Sequence, residues 1–278
     1  MSFFERMLHF LQAEMETPTN FSLFHVCFWL LTLGAAVLLV LRYRNASQRT
    51  VRTICLAVWV TIVSLEIYTQ LVFSMTVTDG VAVWDYQWYA FPFQFCSSPL
   101  YALPFVIFLK DGLLRRFFIT FLSTFSLFAG LAVMLYPNDV FIPMIGINIQ
   151  TMIHHGSQVA LGVFLAAHNR KETRPLHLLG AVAVFAAFSV VAIGLNEAVY
   201  AYITSKGMDD SFNMFYISPH YSCTLPVLSG IYGKVPYPLF LLIYLLGFGV
   251  IAALIFGIEK GVTALAGLKR KKGTALAS

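Results

Sequence analysis

Charge is what this chain lacks. Asp, Glu, Lys and Arg make up 11% of it, against roughly 25% in a soluble domain. Hydrophobic residues make up 59%, and the mean hydropathy is +0.77. That balance excludes a water-soluble fold. Also missing are an internal repeat and any polar stretch long enough to be a soluble domain, so residues 1–278 read as one membrane domain. No cleavable leader is expected either, because Glu5, Glu14 and Glu16 interrupt the first 21 residues and leave no continuous apolar core. Phe3, Phe4, Met7, Leu8, Leu11 and Met15 recur there at helical spacing. The segment 1–21 is therefore either a short amphipathic helix on the outer face or a frayed tail.

What is present is a series of long apolar runs. They cover residues 22–41, 53–75, 89–109, 117–136, 149–167, 176–201 and 237–258, each near the ~17–25 residues that cross a hydrocarbon layer. The expected fold is all-α: a polytopic membrane protein with seven transmembrane helices. Basic residues fall on alternate loops. Arg42, Arg44, Arg49 and Arg52 follow the first run, and Lys110, Arg115 and Arg116 the third. Arg170, Lys171 and Arg174 follow the fifth, and Lys260, Lys269, Arg270, Lys271 and Lys272 the seventh. Only Arg6, Lys206 and Lys234 lie elsewhere. Basic residues stay on the cytoplasmic side, which predicts the N-terminus out and the C-terminus cytoplasmic, in a cell membrane. The net charge of +5 is thus a topology signal and implies no nucleic-acid partner. The basic tail 269–272 reads as an anchor on lipid headgroups.

Polar groups inside the runs are few and share one depth. The third run opens with Tyr89-Ala90-Phe91-Pro92-Phe93-Gln94-Phe95-Cys96-Ser97-Ser98-Pro99-Leu100, expected to be the first turns of a helix. Glu66 and Gln70 lie near the end of the second run, His154 and His155 near the start of the fifth, and Asn196 and Glu197 near the end of the sixth. With alternating direction, all of these ends are outer. At ~1.5 Å per residue, Cys96 and the histidine pair lie roughly 10 Å below the boundary. Lipid offers such groups no hydrogen bonds, so they face a cavity or a neighbouring helix. A single polar chamber at the outer side is expected.

Other positions read as structural. His25 is a packed or interfacial residue, and Ser123, Thr124, Ser126 and Gly130 are close-packing positions. Trp84, Trp88 and Tyr89 form an interfacial aromatic belt. The apolar loop 137–148 is expected to dip back into the membrane. The stretch 202–236, which contains Asn213, is too aromatic for a solvated linker and is expected to form a lid.

A thiol beside an imidazole makes a thiolate nucleophile that can take an acyl group as a thioester and pass it on. Gln94 or Asn196 could orient the imidazole or donate to an oxyanion. Glu66 is either a site acid or a helix-to-helix hydrogen bond. Cys96, His154, His155 and Glu66 are all zinc-ligand types, yet adjacent helical side chains point about 100° apart, and helical metal sites use i, i+3 or i, i+4 spacing. No metal and no cofactor are expected. The plain alternatives are that Cys96 is an inert small residue, or that the polar slab lines a transporter path. The nearly apolar inner halves argue against a path.

Phe93-Gln94-Phe95-Cys96 with Pro99, Ile153-His154-His155-Gly156, Leu195-Asn196, Phe212-Asn213-Met214-Phe215 and Gly233-Lys234-Val235-Pro236-Tyr237-Pro238 together resemble the YwaF family of bacterial multi-spanning membrane proteins. The similarity runs from about Glu66 to the seventh run. The family's animal relative, transmembrane protein 164, is an acyltransferase building polyunsaturated ether phospholipids, and that relative in turn resembles threonine/histidine membrane hydrolases of fatty-acid esters. The resemblance implies a catalytic cysteine at Cys96 and a catalytic histidine at His155, with His154 one register away. Bacterial members typically carry a histidine two residues before the cysteine, where this chain has Gln94. The implied activity is phospholipid acyl transfer, with phospholipid and lysophospholipid as substrates and Glu66, Gln94, Asn196 and Asn213 in support. The alternatives are a thiol- or zinc-dependent lipid hydrolase and a non-enzymatic lipid-binding protein or transporter. Oligomeric state is left open.

Overall fold

The computed structural model describes residues 2–275, with side chains as far as Ala264. The basic cluster 269–272 lies outside the described side chains.

The N-terminal segment is tied down. Helix α1, Phe3–Leu11, is closed by a capping box in which the Ser2 hydroxyl accepts from the Glu5 N–H and the Glu5 carboxylate accepts from the Ser2 N–H. Past it, the Gln12 amide donates to the carbonyls of Val72 and Met75 at 3.1 and 2.7 Å, and the Tyr68 hydroxyl donates to the Leu11 carbonyl at 2.7 Å.

Ser22 and Ser47 cap the next two helices, α2 (Leu23–Tyr43) and α3 (Gln48–Val72). Two short strands follow, β1 (Met75–Thr78) and β2 (Val81–Trp84), paired antiparallel. Asp79 and Gly80, with φ of 52° and 77°, make the two-residue turn between them. Both residues take the left-handed region, and the resulting twist matches that of a hairpin. The all-helical expectation missed this element.

The third run departs furthest from expectation. Its helix, α4, covers only Pro99–Phe108, about 15 Å of rise, too short to cross a membrane. Trp88–Ala90 and Phe95–Ser97 are single 3-10 turns, and the chain between them is bent and non-helical, with the Phe93 N–H donating to the Phe91 carbonyl at 2.7 Å. Two prolines are the cause: Pro92 drives Phe91 out of the helical region (ψ 134°), and Pro99 has no N–H to continue a helix from below. A third, Pro104, lies inside α4 and leaves the Leu100 carbonyl without its helical donor. The Trp59 indole fills that place at 2.9 Å.

Helices α5 (Leu113–Phe121) and α6 (Leu127–Leu135) are joined by a π-turn at Leu122–Ser126. Then come α7 (Ile145–Asn169), α8 (Pro175–Lys206) and α9 (Tyr237–Ala275). Five helical stretches are long and apolar enough to cross a membrane: Leu23–Tyr43, Gln48–Val72, Leu113–Leu135, Pro175–Lys206 and Tyr237–Ala264. Helix α7 has the length but carries the polar residues. Sixteen of its residues are buried, against three in α2, so α7 is the central helix and α2 lies at the periphery. It packs against α2, α3 and α6. The approach to α6 is very close, because a Cβ on Gly130 would sit 2.9 Å from the His155 carbonyl oxygen and 2.8 Å from Gln158 Cβ.

The basic loops meet at one end of the bundle. Arg52 reaches Asp111 at 3.1 Å, Arg116 pairs with Glu172 at 2.7 Å, and Lys260 donates to the carbonyls of Arg170 and Thr173 at 2.9 and 2.6 Å. Cys96, preceding α4, lies toward the opposite end. There, residues 207–236 fold over without long helices, and Phe212, Met214, Phe215, Ile217 and Cys223 are buried in the main core. The loop 137–148 is held by Asn148, whose amide brackets Ile142 by accepting from its N–H at 3.0 Å and donating to its carbonyl at 2.7 Å.

Candidate functional site

The site is assembled around a backbone carbonyl. In the 3-10 turn Phe95–Ser97, the Ser98 N–H donates to the Phe95 carbonyl. The next bond of that series would come from residue 99, which is proline and has no N–H. The Cys96 carbonyl is thereby free, and α7 docks onto it: His154 Nε2 lies 3.0 Å away and Gln158 Nε2 donates at 2.5 Å. His154 and Gln158 are four residues apart, on one face of the helix.

The hydrogen bonds fix both tautomers, since a carbonyl oxygen can only accept. His154 therefore carries its proton on Nε2. His155 carries its proton on Nδ1, which donates to the Thr151 carbonyl one turn back at 2.7 Å. The opposite nitrogens, His154 Nδ1 and His155 Nε2, are buried and have no partner. Each is a bare lone pair. The Ser98 hydroxyl and Gln158 Oε1 are likewise buried and unpartnered. The two imidazoles stand with ring centroids 5.2 Å apart. An unsatisfied buried polar group costs ~1–3 kcal/mol, and His154 and Gln158 are held side by side by their shared partner, the Cys96 carbonyl.

Neither imidazole is hydrogen-bonded to the Cys96 sulfur, since every described partner of the two rings is a backbone carbonyl. Cys96 as a residue is half-buried, whereas Cys55 and Cys223 are buried and Cys27 lies exposed on peripheral α2. Burial raises the thiol of Cys223, in the loop, above its ordinary range, as befits a packing residue.

The amides expected to orient the histidine are engaged elsewhere. Gln94 accepts from the Phe215 N–H and donates to the Asn213 carbonyl, both at 3.0 Å. Asn196, fully buried on α8, accepts from the Met214 N–H at 2.7 Å and donates to the Met214 carbonyl at 3.1 Å. Neither amide reaches an imidazole. Together they clamp a strained segment, since Phe215 and Tyr216 have φ of 59° and 56°, a region that costs a non-glycine residue ~1–2 kcal/mol. Asn213 braces the same loop from within, accepting from the Ser218 N–H at 2.9 Å and donating to the Ser222 carbonyl at 3.1 Å.

Glu66 takes a hydrogen bond from Gln70 at 2.8 Å, and Gln70 also donates to the Ala90 carbonyl and accepts from the Tyr86 hydroxyl, both at 2.8 Å. This pair pins the segment that leads to Cys96, and Glu66 lies within electrostatic reach of the thiol. Tyr216 is within the same reach. Gln158, Ser98 and Tyr216 were not singled out from the sequence. For Gln158 the signal existed, as it stands one helical turn after His154. Among the described residues, no group of three or more His, Cys, Asp or Glu side chains is placed to hold a metal.

Apolar helices around a buried polar centre define a multi-pass membrane protein. The chain belongs to the TMEM164 family, whose model matches residues 15–259. No curated protein and no solved structure gives a match.

Proposed function

We propose that this chain is a seven-pass lipid acyltransferase of the cell membrane, with its N-terminus outside and its C-terminus in the cytoplasm. Cys96 is the nucleophile and His155 the general base. The observation that carries the reading is the buried lone pair on His155 Nε2, left bare because Nδ1 donates to the Thr151 carbonyl, on the helix that docks onto the segment bearing Cys96. For the topology, the support is the meeting of the arginine- and lysine-rich loops at the end of the bundle away from Cys96.

The reaction runs in two halves. A phospholipid enters from the bilayer, and the thiol turns about its Cα–Cβ bond toward His155 Nε2, a contact that resting enzymes often leave open until substrate binds. Nε2 takes the thiol proton and the sulfur attacks the ester carbonyl. The carbon–oxygen bond breaks, and the proton passes to the departing lysophospholipid oxygen. In the second half, an acceptor lysophospholipid hydroxyl gives its proton to Nε2 and attacks the thioester; the carbon–sulfur bond breaks, and Nε2 returns the proton to the cysteine sulfur. The unpartnered Ser98 hydroxyl is the available donor to the oxyanion, because Gln94 and Asn196 are committed to the loop.

The test is acyl transfer between labelled phospholipid and lysophospholipid in nanodiscs, with free fatty acid counted in parallel. Transacylated lipid lost in Cys96→Ala supports the reading. Fatty acid without transacylated lipid makes the protein a hydrolase, and undiminished transfer in Cys96→Ala removes the nucleophile.

A further inference from the structure

Helix α1 turns one side to the protein and another away from it. Leu8 is fully buried, and the helix packs against both strands of the hairpin. Phe3 and Phe10 share a face that lies roughly 150° round the helix from Leu8, at ~100° per residue. They are 76% and 77% exposed. Met7 lies between them, Arg6 borders them, and His9 stands exposed on a separate, polar side. Hydrogen bonds from Tyr68 and Gln12 set the height of the helix, at the last turns of α3. The chain beyond it is stitched to the loop 137–148, the Ile145 N–H donating to the Ala13 carbonyl at 3.1 Å and the Met15 N–H to the Pro143 carbonyl at 3.4 Å. It then enters α2 through Phe21 and Leu23, which are 69% and 81% exposed. Since α2 is peripheral and long and apolar enough to cross a membrane, the exposed face of α1 stands at the level where a lipid-facing surface begins.

We propose that α1 lies in the headgroup layer of the leaflet on the Cys96 side, with Phe3 and Phe10 seated among the lipids and His9 toward water. A helix with one apolar and one polar face settles in that layer, its apolar side chains at the acyl boundary. Arg6, beside the two rings, has a stem long enough to carry its charge up to the phosphates. A second copy of the chain does not fit the face. Two phenyl rings three-quarters exposed offer about 300 Å², against ~800 Å² from each partner in a stable protein interface. A lipid surface needs no such area, because the membrane-spanning helices already hold the chain there. Through Gln12, α1 also braces the corner between α3 and β1, at the end of α3 from which Gln70 holds the segment leading to Cys96. The placement goes beyond the acyl-transfer reading and does not require it.

The test uses the full chain in phosphatidylcholine nanodiscs, with the photo-crosslinker p-benzoylphenylalanine placed at position 3, 10 or 9 in turn. After irradiation, intact mass should rise by one phospholipid at positions 3 and 10, and that adduct should be lost at position 9. A crosslinked dimer of the chain overturns the proposal and makes the face an interface between copies. No adduct at 3 and 10 overturns it by placing the rings in water, and an equal adduct at 9 overturns the two-sided placement. Phe10→Trp gives a second reading that keeps an aromatic ring. Against the four native tryptophans, its added emission should be quenched by lipids brominated near the headgroup and spared by aqueous iodide; the reverse pattern overturns the proposal. Carrying Cys96→Ala in the same chain should leave the adducts unchanged, so a failure of the catalytic reading and a failure of this one are told apart.

Discussion

Asn196→Leu removes one side of the clamp on the loop beside Cys96 while keeping nearly the same side-chain volume in α8. The wild-type amide satisfies both the N–H and the carbonyl of Met214, at 2.7 and 3.1 Å, and both Asn196 and Met214 are fully buried. Leucine leaves the two backbone groups without partners, at ~1–3 kcal/mol each. The segment can escape that cost only by opening, and the strain in Phe215 and Tyr216 pushes the same way at ~1–2 kcal/mol per residue. Local opening should therefore become easier by at least ~2 kcal/mol, about thirtyfold in the opening equilibrium. Hydrogen exchange by mass spectrometry reads this directly: amides of residues 213–218 should exchange about thirtyfold faster, while the core of α7 keeps its protection. Equal exchange in the variant and the wild type would show that the loop does not depend on Asn196, and the clamp argument would fall.

Cys96→Ser should abolish acyl transfer with little change in thermal melting, because a serine hydroxyl is far less acidic than a thiol. His155→Ala should be equally severe and the Cys96→Ser/His155→Ala double variant no worse, as for residues acting as a unit; additive losses would separate their roles. His154→Ala should cost less, since Gln158 still donates to the Cys96 carbonyl, and adding Gln158→Ala should then cost more than in the wild type; simple additivity would mean the two donors do not share that carbonyl. Gly130→Ala forces a Cβ to 2.9 Å from the His155 carbonyl and should destabilise by ~1–3 kcal/mol, seen as a lowered melting temperature; an unchanged melt refutes the close approach. Single cysteines in the loops 42–52 and 170–174 should resist external labelling in intact cells, and labelling of either one overturns the topology.

Much of this was legible because bilayer physics is strict. Hydropathy located five helices long enough to cross a membrane, and of the polar groups expected to share one depth, His154 meets the backbone of Cys96. Two kinds of feature were not legible that way. Proline chemistry overrode hydropathy in the third run: Pro92 and Pro99 turn an apolar stretch into bends and 3-10 turns, and that irregularity exposes the carbonyl on which α7 docks. The prolines were visible, but their consequence depended on a partner 58 residues away. Amide partners were also invisible. Gln94 and Asn196 share the expected depth with the histidines, yet depth does not set azimuth, and both face the loop 213–215. The Asp79-Gly80 turn, by contrast, is a local hairpin signal that was available in the sequence.

The central claim is that an acyl group rests on Cys96. Intact-mass spectrometry after incubation with a phospholipid of known chains, in the absence of acceptor, tests it most directly. The account predicts one added acyl mass that hydroxylamine removes, present in the wild type and absent in Cys96→Ala. Acyl transfer that continues in Cys96→Ala, or an adduct mapped by peptide mass to another residue, would contradict it.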